Sequence, residues 1–385
     1  MQLLKLVLRN TLRRKVRTGL TMLGLAVATL AFGLLSTVVG AWYAAADRAP
    51  PTRLITRNAI SLSFPLPLAY RDRIRALDGI VRVSHASWFG GVYQDPKNFF
   101  AQFAIEAHSY LPMYPQFRFQ EEELRAFYRD RRGAIIGRKL ANTYGLKVGD
   151  HLPMRGTAYP GDWEFTVRAI YDGAEGHTDT SQMLFHWEYL NETMKTRTQG
   201  RGDLVGVFIV DIEHAGRAAE VAAAIDGLFA NSLAETLTQT EKAFHLGFVA
   251  MTEAIVVAIR LVSFVVLVII FAVMANTMAM TSRERLAEYA TLKALGFGPG
   301  FVTVLIGGES LLIAAIGAAA GIAATFPVAD VFAAQMGTLF PQVQVSMATV
   351  AMQAVCALAV GFGAAVFPVL RATRVRIAEG LRAVA

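Results

Sequence analysis

Residues 261–280 read LVSFVVLVIIFAVMANTMAM, and residues 281–297 read TSRERLAEYATLKALGF. The first stretch carries no charge in twenty positions. At a rise of about 1.5 Å per residue, some 20 apolar residues cross the roughly 30 Å hydrocarbon core of a bilayer. The second stretch turns abruptly charged and reads as a short amphipathic helix. Thr281 and Glu284 have the spacing of a capping box, which predicts that the helix restarts there. Leu286, Tyr289 and Lys293 fall near one face, while Arg285, Glu288 and Leu292 fall on another. Gly296 suits the position after the last turn, and Pro299 forbids continuation. A membrane helix that ends in a charged surface helix is a means of passing a push across a bilayer.

Composition agrees with a membrane protein. Of 385 residues, 54% are hydrophobic and 17% charged, where soluble domains carry about 25% charge. Mean hydropathy is +0.40. The formal charge of +7 could suggest nucleic acid, but the arginines cluster at the ends of apolar runs. That placement anchors and orients membrane helices, so no nucleic-acid partner is expected. The one cysteine, Cys356, lies in an apolar run, which excludes an intrachain disulfide and a cysteine-based zinc site.

Working outward, residues 1–18 put Leu4, Leu8 and Leu12 on one helical face, with Lys5, Arg9, Arg13 and Arg14 on others. This predicts a helix lying on an anionic membrane surface in preference to a merely basic tail. Residues 19–43 form the first membrane helix, closed by Trp42 and Tyr43. The run exceeds the roughly 7–15 residues of a signal-peptide core, so it reads as an uncleaved anchor. Residues 44–250 mix strand and helix patterns without a spanning run. Helices are expected at 71–77, 121–128 and 215–229, and strands at 81–92, 99–105, 165–171 and 204–211. Residues 133–154 read as a strand, a helix ending at Tyr144 before Gly145, a turn and another strand. From about residue 231 the chain looks helical and reads as a stalk. The second membrane helix follows at 251–281, the charged helix at 282–298, and a third membrane helix at 300–325. An outer loop at 326–345, a fourth membrane helix at 346–370 and a tail at 371–385 complete the chain. The fold class expected is a membrane α-helical protein of four transmembrane helices, with a large α+β extracytoplasmic domain inserted between helices 1 and 2.

The short segments decide the orientation. The N-terminal tail, the 283–293 segment and the C-terminal tail carry Lys or Arg, and the 326–345 loop carries none. The positive-inside rule puts both termini in the cytoplasm and residues 44–250 outside.

Catalytic signatures are missing. No GxxxxGK[ST], HExxH, CxxC or GxSxG occurs, so this chain cannot bind ATP through a P-loop and no catalytic residue or metal ligand is assigned. His177, with Glu175 and Asp179, reads as a solvated loop, and His85, His108 and His151 as structural residues. Glu309 needs an explanation, because it lies two to three turns inside the third membrane helix, where an ionisable group is costly. Two readings stay open: a contact that changes as helices move, or a static hydrogen bond to Asn276 or Thr277. Gly317 and Gly321 form a GxxxG pair, which permits close helix packing.

RERLAEYATLKALGF at 283–297, FPVLRATRVRIAEGLR at 367–382, GLKVGD at 145–150 with WEFTVRAIY at 163–171, and GGESLLIAAIGAAAGIA at 307–323 resemble one family. It is that of the MacB/FtsX-like permeases of ABC transporters, which includes the lipoprotein-releasing LolC and LolE. The resemblance implies that 283–297 is the coupling helix, with Arg283, Glu284, Arg285, Glu288, Tyr289 and Leu292 facing the ATPase. Tyr289 and Arg285 are the anchors expected in that interface. It further implies two ATPase subunits that bind the ATP and magnesium, no cofactor in this chain, and a second permease as homodimer or related heterodimer. A membrane-fusion or adaptor protein and membrane lipids complete the partners. The location implied is a bacterial inner membrane. The function implied is mechanotransmission: hydrolysis by a separate ATPase drives export or extraction of a hydrophobic or amphipathic substrate at the outer face. The alternative is an FtsX-like regulator that activates a cell-wall hydrolase outside. No ATPase domain is fused, unlike MacB itself, and residues 85–130, rich in aromatics (Trp88, Phe89, Tyr93, Phe99, Phe100 and Phe103), match no pattern and leave the substrate open.

Overall fold

The computed structural model describes residues 7, 9, 11–175, 178–198, 202–336 and 343–374. It divides into a unit of long helices and a mixed α+β unit, Ala41–Met251. The chain opens with α1 (Lys15–Arg48), β1 (Arg53–Asn58), β2 (Leu66–Pro67), α2 (Tyr70–Arg75), β3 (Ile80–Trp88), β4 (Gly91–Val92) and β5 (Gln102–Ile105). Next come α3 (Ala107–Tyr110), β6 (Phe117–Arg118), α4 (Glu121–Arg129), β7 (Gly133–Gly137), α5 (Arg138–Tyr144), β8 (His151–Gly156) and β9 (Gly161–Gly173). Then follow β10 (Met183–His186), α6 (Trp187–Arg197), β11 (Leu204–Val205), β12 (Val207–Ile212), α7 (Ala218–Leu228), β13 (Thr236–Thr240) and α8 (Glu241–Met251). The last helices are α9 (Glu253–Glu284), α10 (Leu286–Ala294), α11 (Pro299–Met336) and α12 (Met347–Arg374).

The α+β unit is built on an 11-stranded sheet in the order β13-β1-β12-β3-β5-β10-β7-β9-β8-β4, with β6 added beside β9. The β5–β10 and β7–β9 ladders are parallel. Successive side chains of a strand point to opposite faces, and both faces are buried here. Ala134 and Ile136 of β7, Met183 and Phe185 of β10, and Phe208 and Val210 of β12 enter one core with Trp163 and Phe229. Their sequence neighbours Ile135, Leu184 and Ile209 enter a second core with Tyr110, Phe127 and Tyr171. A strand covered on both sides shows no polar alternation, which is why GAIIG reads as an unbroken apolar run. β8, near the sheet margin, does alternate: Leu152 and Met154 are buried, His151 and Arg155 exposed. Gly145 closes α5 in the left-handed conformation, at φ 67° and ψ 24°, where a side chain would be strained.

The stalk does not begin at 231. Thr236–Thr240 is an edge strand held antiparallel on β1, from Leu54↔Thr240 to Asn58↔Thr236. Asp226 of α7 accepts from the Thr236 and Thr238 hydroxyls at 2.9 and 2.7 Å and from the Thr238 N–H at 3.0 Å. Leu237 is its one large apolar side chain, too little for a periodicity to register. The helical stretch is α8, and it breaks at Thr252 before α9.

In the helical unit, Lys15–Ala44, Glu253–Glu284, Pro299–Ala333 and Met347–Arg374 are long and apolar enough to cross a membrane. Their bounds differ from the sequence reading. Val7, Arg9 and Thr11 are helical, and a 3-10 turn, Leu12–Arg14, leads from them into α1; Leu4, Lys5 and Leu8 lie outside the described residues. α11 continues past 325 to Met336, with Pro327 inside it, so much of the expected loop is helix. Residues 337–342 lie outside the described residues, as do Arg376 and Arg382.

Small residues set the helix contacts. A Cβ on Gly317 would stand 2.9 Å from the Met22 carbonyl, and one on Gly321 2.6 Å from the Ala26 carbonyl, so the GxxxG pair lies directly on α1. The Ser310 hydroxyl donates to the Gly361 carbonyl at 2.6 Å, joining α11 to α12. Gln353 Nε2 donates to the Thr29 carbonyl at 2.8 Å and to Thr325 Oγ1 at 3.0 Å, so one buried amide ties α1, α11 and α12.

Candidate functional site

α9 ends at Glu284, and α10 begins at Leu286; between them Arg285 leaves the helix at φ −109° and ψ 13°. The capping box expected at this point does not form. The helix runs through Thr281, whose hydroxyl donates to the Thr277 carbonyl at 2.9 Å, the back-bond usual for a threonine inside a helix.

The elbow is held by charge. Arg285 donates through Nη1 to Glu309 Oε2 at 2.9 Å and through Nε to Glu288 Oε2 at 3.0 Å. Glu288 also takes Arg13 of the 3-10 turn at 2.5 Å. Glu284 accepts both nitrogens of the Arg17 fork at 2.8 and 3.0 Å, and Arg14 at 2.5 Å. Four arginines thus face three glutamates, around a cavity of about 200 Å³ that Thr18, Thr277, Met278, Thr281 and Ile313 also line. The outer pairs are partly solvated, and such pairs contribute about 0–1 kcal/mol each. The Arg285–Glu309 pair is different: both residues are buried, at 8% and 5% exposed. A buried charge that loses its partner costs several times more.

The short helix beyond the elbow touches every other long helix. Its Glu288 reaches α1's leading turn, and Arg285 reaches α11. Lys293 donates to the Ala372 and Thr373 carbonyls at 3.1 and 2.9 Å, a cation on the last carbonyls of α12. Tyr289, 2% exposed, packs in the core among α9, α11 and α12 side chains, and burial pushes its phenol up to about 12.

These positions revise the site read from sequence. Arg285 and Tyr289, expected as surface anchors, are interior groups, because a guanidinium and a phenol serve equally well to satisfy a buried carboxylate and to fill a core. Glu284 and Glu288 are engaged by α1's leading arginines, Leu292 is half-buried against the core, and Arg283 is exposed. Glu309 pairs with Arg285 rather than Asn276 or Thr277; Asn276 is exposed on α9, and the Thr277 hydroxyl donates to the Val273 carbonyl. The surface that α10 leaves open lies at its far end, where Leu295 is 71% and Phe297 42% exposed around the left-handed Gly296. Sequence reasoning missed Arg13, Arg14 and Arg17 as members of this network. A signal was present: Arg13 and Arg17 stand four apart, as do Glu284 and Glu288, and antiparallel helices bring equal steps together.

Elsewhere, no group of three His, Cys, Asp or Glu side chains able to hold a metal occurs among the described residues. His177 lies outside them. Of the aromatic stretch, Phe89, Tyr93 and Phe100 are core, while Trp88 and Phe99 are exposed.

The sequence matches two family models: the MacB-like periplasmic core domain over residues 18–228 and the FtsX-like permease C-terminal region over residues 260–377. No curated protein matches it. Similar solved structures include the extracellular domain of the noncanonic ABC-type transporter YknZ from Gram-positive bacteria. It is 13% identical, covers 49% of this chain and 98% of its own, and has a TM-score of 0.36. A domain of a putative permease protein from Porphyromonas gingivalis is 14% identical over 50% of this chain and 92% of its own, with a TM-score of 0.35. The periplasmic region of MacB from Actinobacillus actinomycetemcomitans is 9% identical over 51% and 92%, with a TM-score of 0.35. The two family models together span more than half of the sequence and take in both units, and the chain belongs to the MacB/FtsX-like permeases of ABC transporters.

Proposed function

We propose that this permease couples ATP hydrolysis in a separate ATPase to movement of its α+β domain, which exports or extracts a hydrophobic or amphipathic substrate at the outer face of a bacterial inner membrane. The absent P-loop assigns hydrolysis to a partner. The basic segments assign α10 and both termini to the cytoplasm and Ala41–Met251 to the outside.

The observation that carries the reading is the wiring of α10. A nine-residue helix is too short to hold itself, since isolated helices need about 12–15 residues. Here it is fixed through Arg285, Glu288, Tyr289 and Lys293 to the other long helices. A load on it must therefore move those helices. The face a partner can reach is Leu295 and Phe297 with Arg283 and Thr291, not the buried Tyr289.

The test is co-purification from native membranes through a tag on this chain. Leu295→Glu should abolish recovery of an ATP-hydrolysing subunit, while Tyr289→Phe should retain it. Wild-type recovery with Leu295→Glu and Phe297→Glu combined would remove α10 as the coupling element.

A further inference from the structure

Arg13, Arg14 and Arg17 line the 200 Å³ cavity at the point where two candidate spans, Lys15–Ala44 and Glu253–Glu284, begin and end. The cavity therefore sits at the height of a lipid headgroup. Arg13 and Arg14 have carboxylate partners, yet their side chains remain 65% and 54% exposed. With four arginines to three glutamates among the described residues, the cavity wall has one excess positive charge. Arginine forks suit phosphate as well as carboxylate, so the same groups can serve either.

The next turns of α1 continue the site in apolar form. Val16, Leu20, Leu23 and Val27 are 77%, 63%, 60% and 56% exposed. With Arg13 they follow the i, i+3, i+7, i+10, i+14 spacing of a single helix face. A charged group at Arg13 thus stands at the foot of an apolar stripe, the order of parts in a phospholipid. Free phosphate would use the arginines and leave the stripe unexplained.

We infer that this cavity binds the phosphate of an anionic phospholipid headgroup, and that the lipid competes with Glu284 and Glu288 for Arg13, Arg14 and Arg17. Glu284 and Glu288 are 26% and 43% exposed, so water can receive them when they are released. The buried Arg285–Glu309 pair stays in place. Lipid composition would then set how firmly α10 is held to α1, whichever partner α10 meets.

The test uses the full chain in nanodiscs of phosphatidylcholine alone or with phosphatidylglycerol. Phosphatidylglycerol retained through detergent washing is counted by native mass spectrometry, and backbone exchange is followed over residues 286–294. Phosphatidylglycerol should raise exchange in this segment several-fold. Glu284→Gln with Glu288→Gln should retain more phosphatidylglycerol than wild type, because the arginines lose their competitors. Arg13→Gln, Arg14→Gln and Arg17→Gln together should retain less, while Arg371→Gln, a basic control in the last turn of α12, should match wild type. The gain in retention with Glu284→Gln and Glu288→Gln cannot come from simple loosening of the elbow, which would raise exchange without tightening lipid. Equal retention in all four proteins would overturn the inference. So would inorganic phosphate reproducing the exchange rise in phosphatidylcholine, which would make the ligand a free anion.

Discussion

Removing either partner of the Arg285–Glu309 pair should have unequal consequences. Arg285→Met leaves Glu309 inside α11 at 5% exposure with its one resolved cationic partner gone. Breaking a buried pair this way costs about 3–5 kcal/mol. Glu309 lines the cavity, which limits the loss, so about 3 kcal/mol is expected. Glu309→Leu strands nothing of the kind, because Arg285 keeps Glu288 at 3.0 Å; its loss should be about 1 kcal/mol, that of one charge-assisted hydrogen bond offset by apolar filling. The double variant should resemble Glu309→Leu rather than the sum of the two, which places the coupling at roughly 2–3 kcal/mol. Equilibrium unfolding by denaturing detergent in mixed micelles, read by circular dichroism, gives all three values. Equal losses for the two single variants, or strict additivity in the double, would show that Arg285 does not neutralise Glu309 in the folded protein.

Three further outcomes follow from particular contacts. His85 is 1% exposed with both ring nitrogens unpartnered, and burial holds its imidazole down at about 4. Its neutral form is thus favoured by folding; this stability is complete above pH 6.5 and is lost as pH falls toward 4, about 3 kcal/mol in all, and His85→Phe should flatten that part of the acid-unfolding profile. Gly321→Leu should lower stability by about 1–3 kcal/mol in a thermal melt, because its Cβ would press on the Ala26 carbonyl, whereas a melt like wild type would mean that α1 and α11 do not pack there. A cysteine at Thr157 should react with an impermeant reagent from outside intact cells and one at Arg283, which is exposed, should not; the reverse pattern would invert the topology.

What could be read from sequence divides along physical lines. Twenty uncharged residues are a signal written in one dimension, so the long helices were legible while their ends were not. A helix stops where its backbone hydrogen bonds lose partners rather than where its apolar run ends, and so α11 carries on through Pro327 to Met336. β13 was invisible for the opposite reason, since five residues with one leucine have no periodicity, and what makes them a strand is β1 alongside and Asp226 on their threonines. The elbow lies between these cases. Its charges were conspicuous, but residue type alone could not say whether they faced a partner or each other. A surface anchor and a buried ion pair draw on the same arginine. The deciding fact was Glu309, a carboxylate inside an apolar helix that required a cation within reach, and Arg285 is the cation on the adjoining elbow. With Arg285 turned inward to meet it, Tyr289 lies on the inner side of α10, Glu288 stays part-exposed beside Arg13, and the large apolar side chains left outside are Leu295 and Phe297. The acid that looked like an isolated anomaly thus determines which residues around α10 stay exposed.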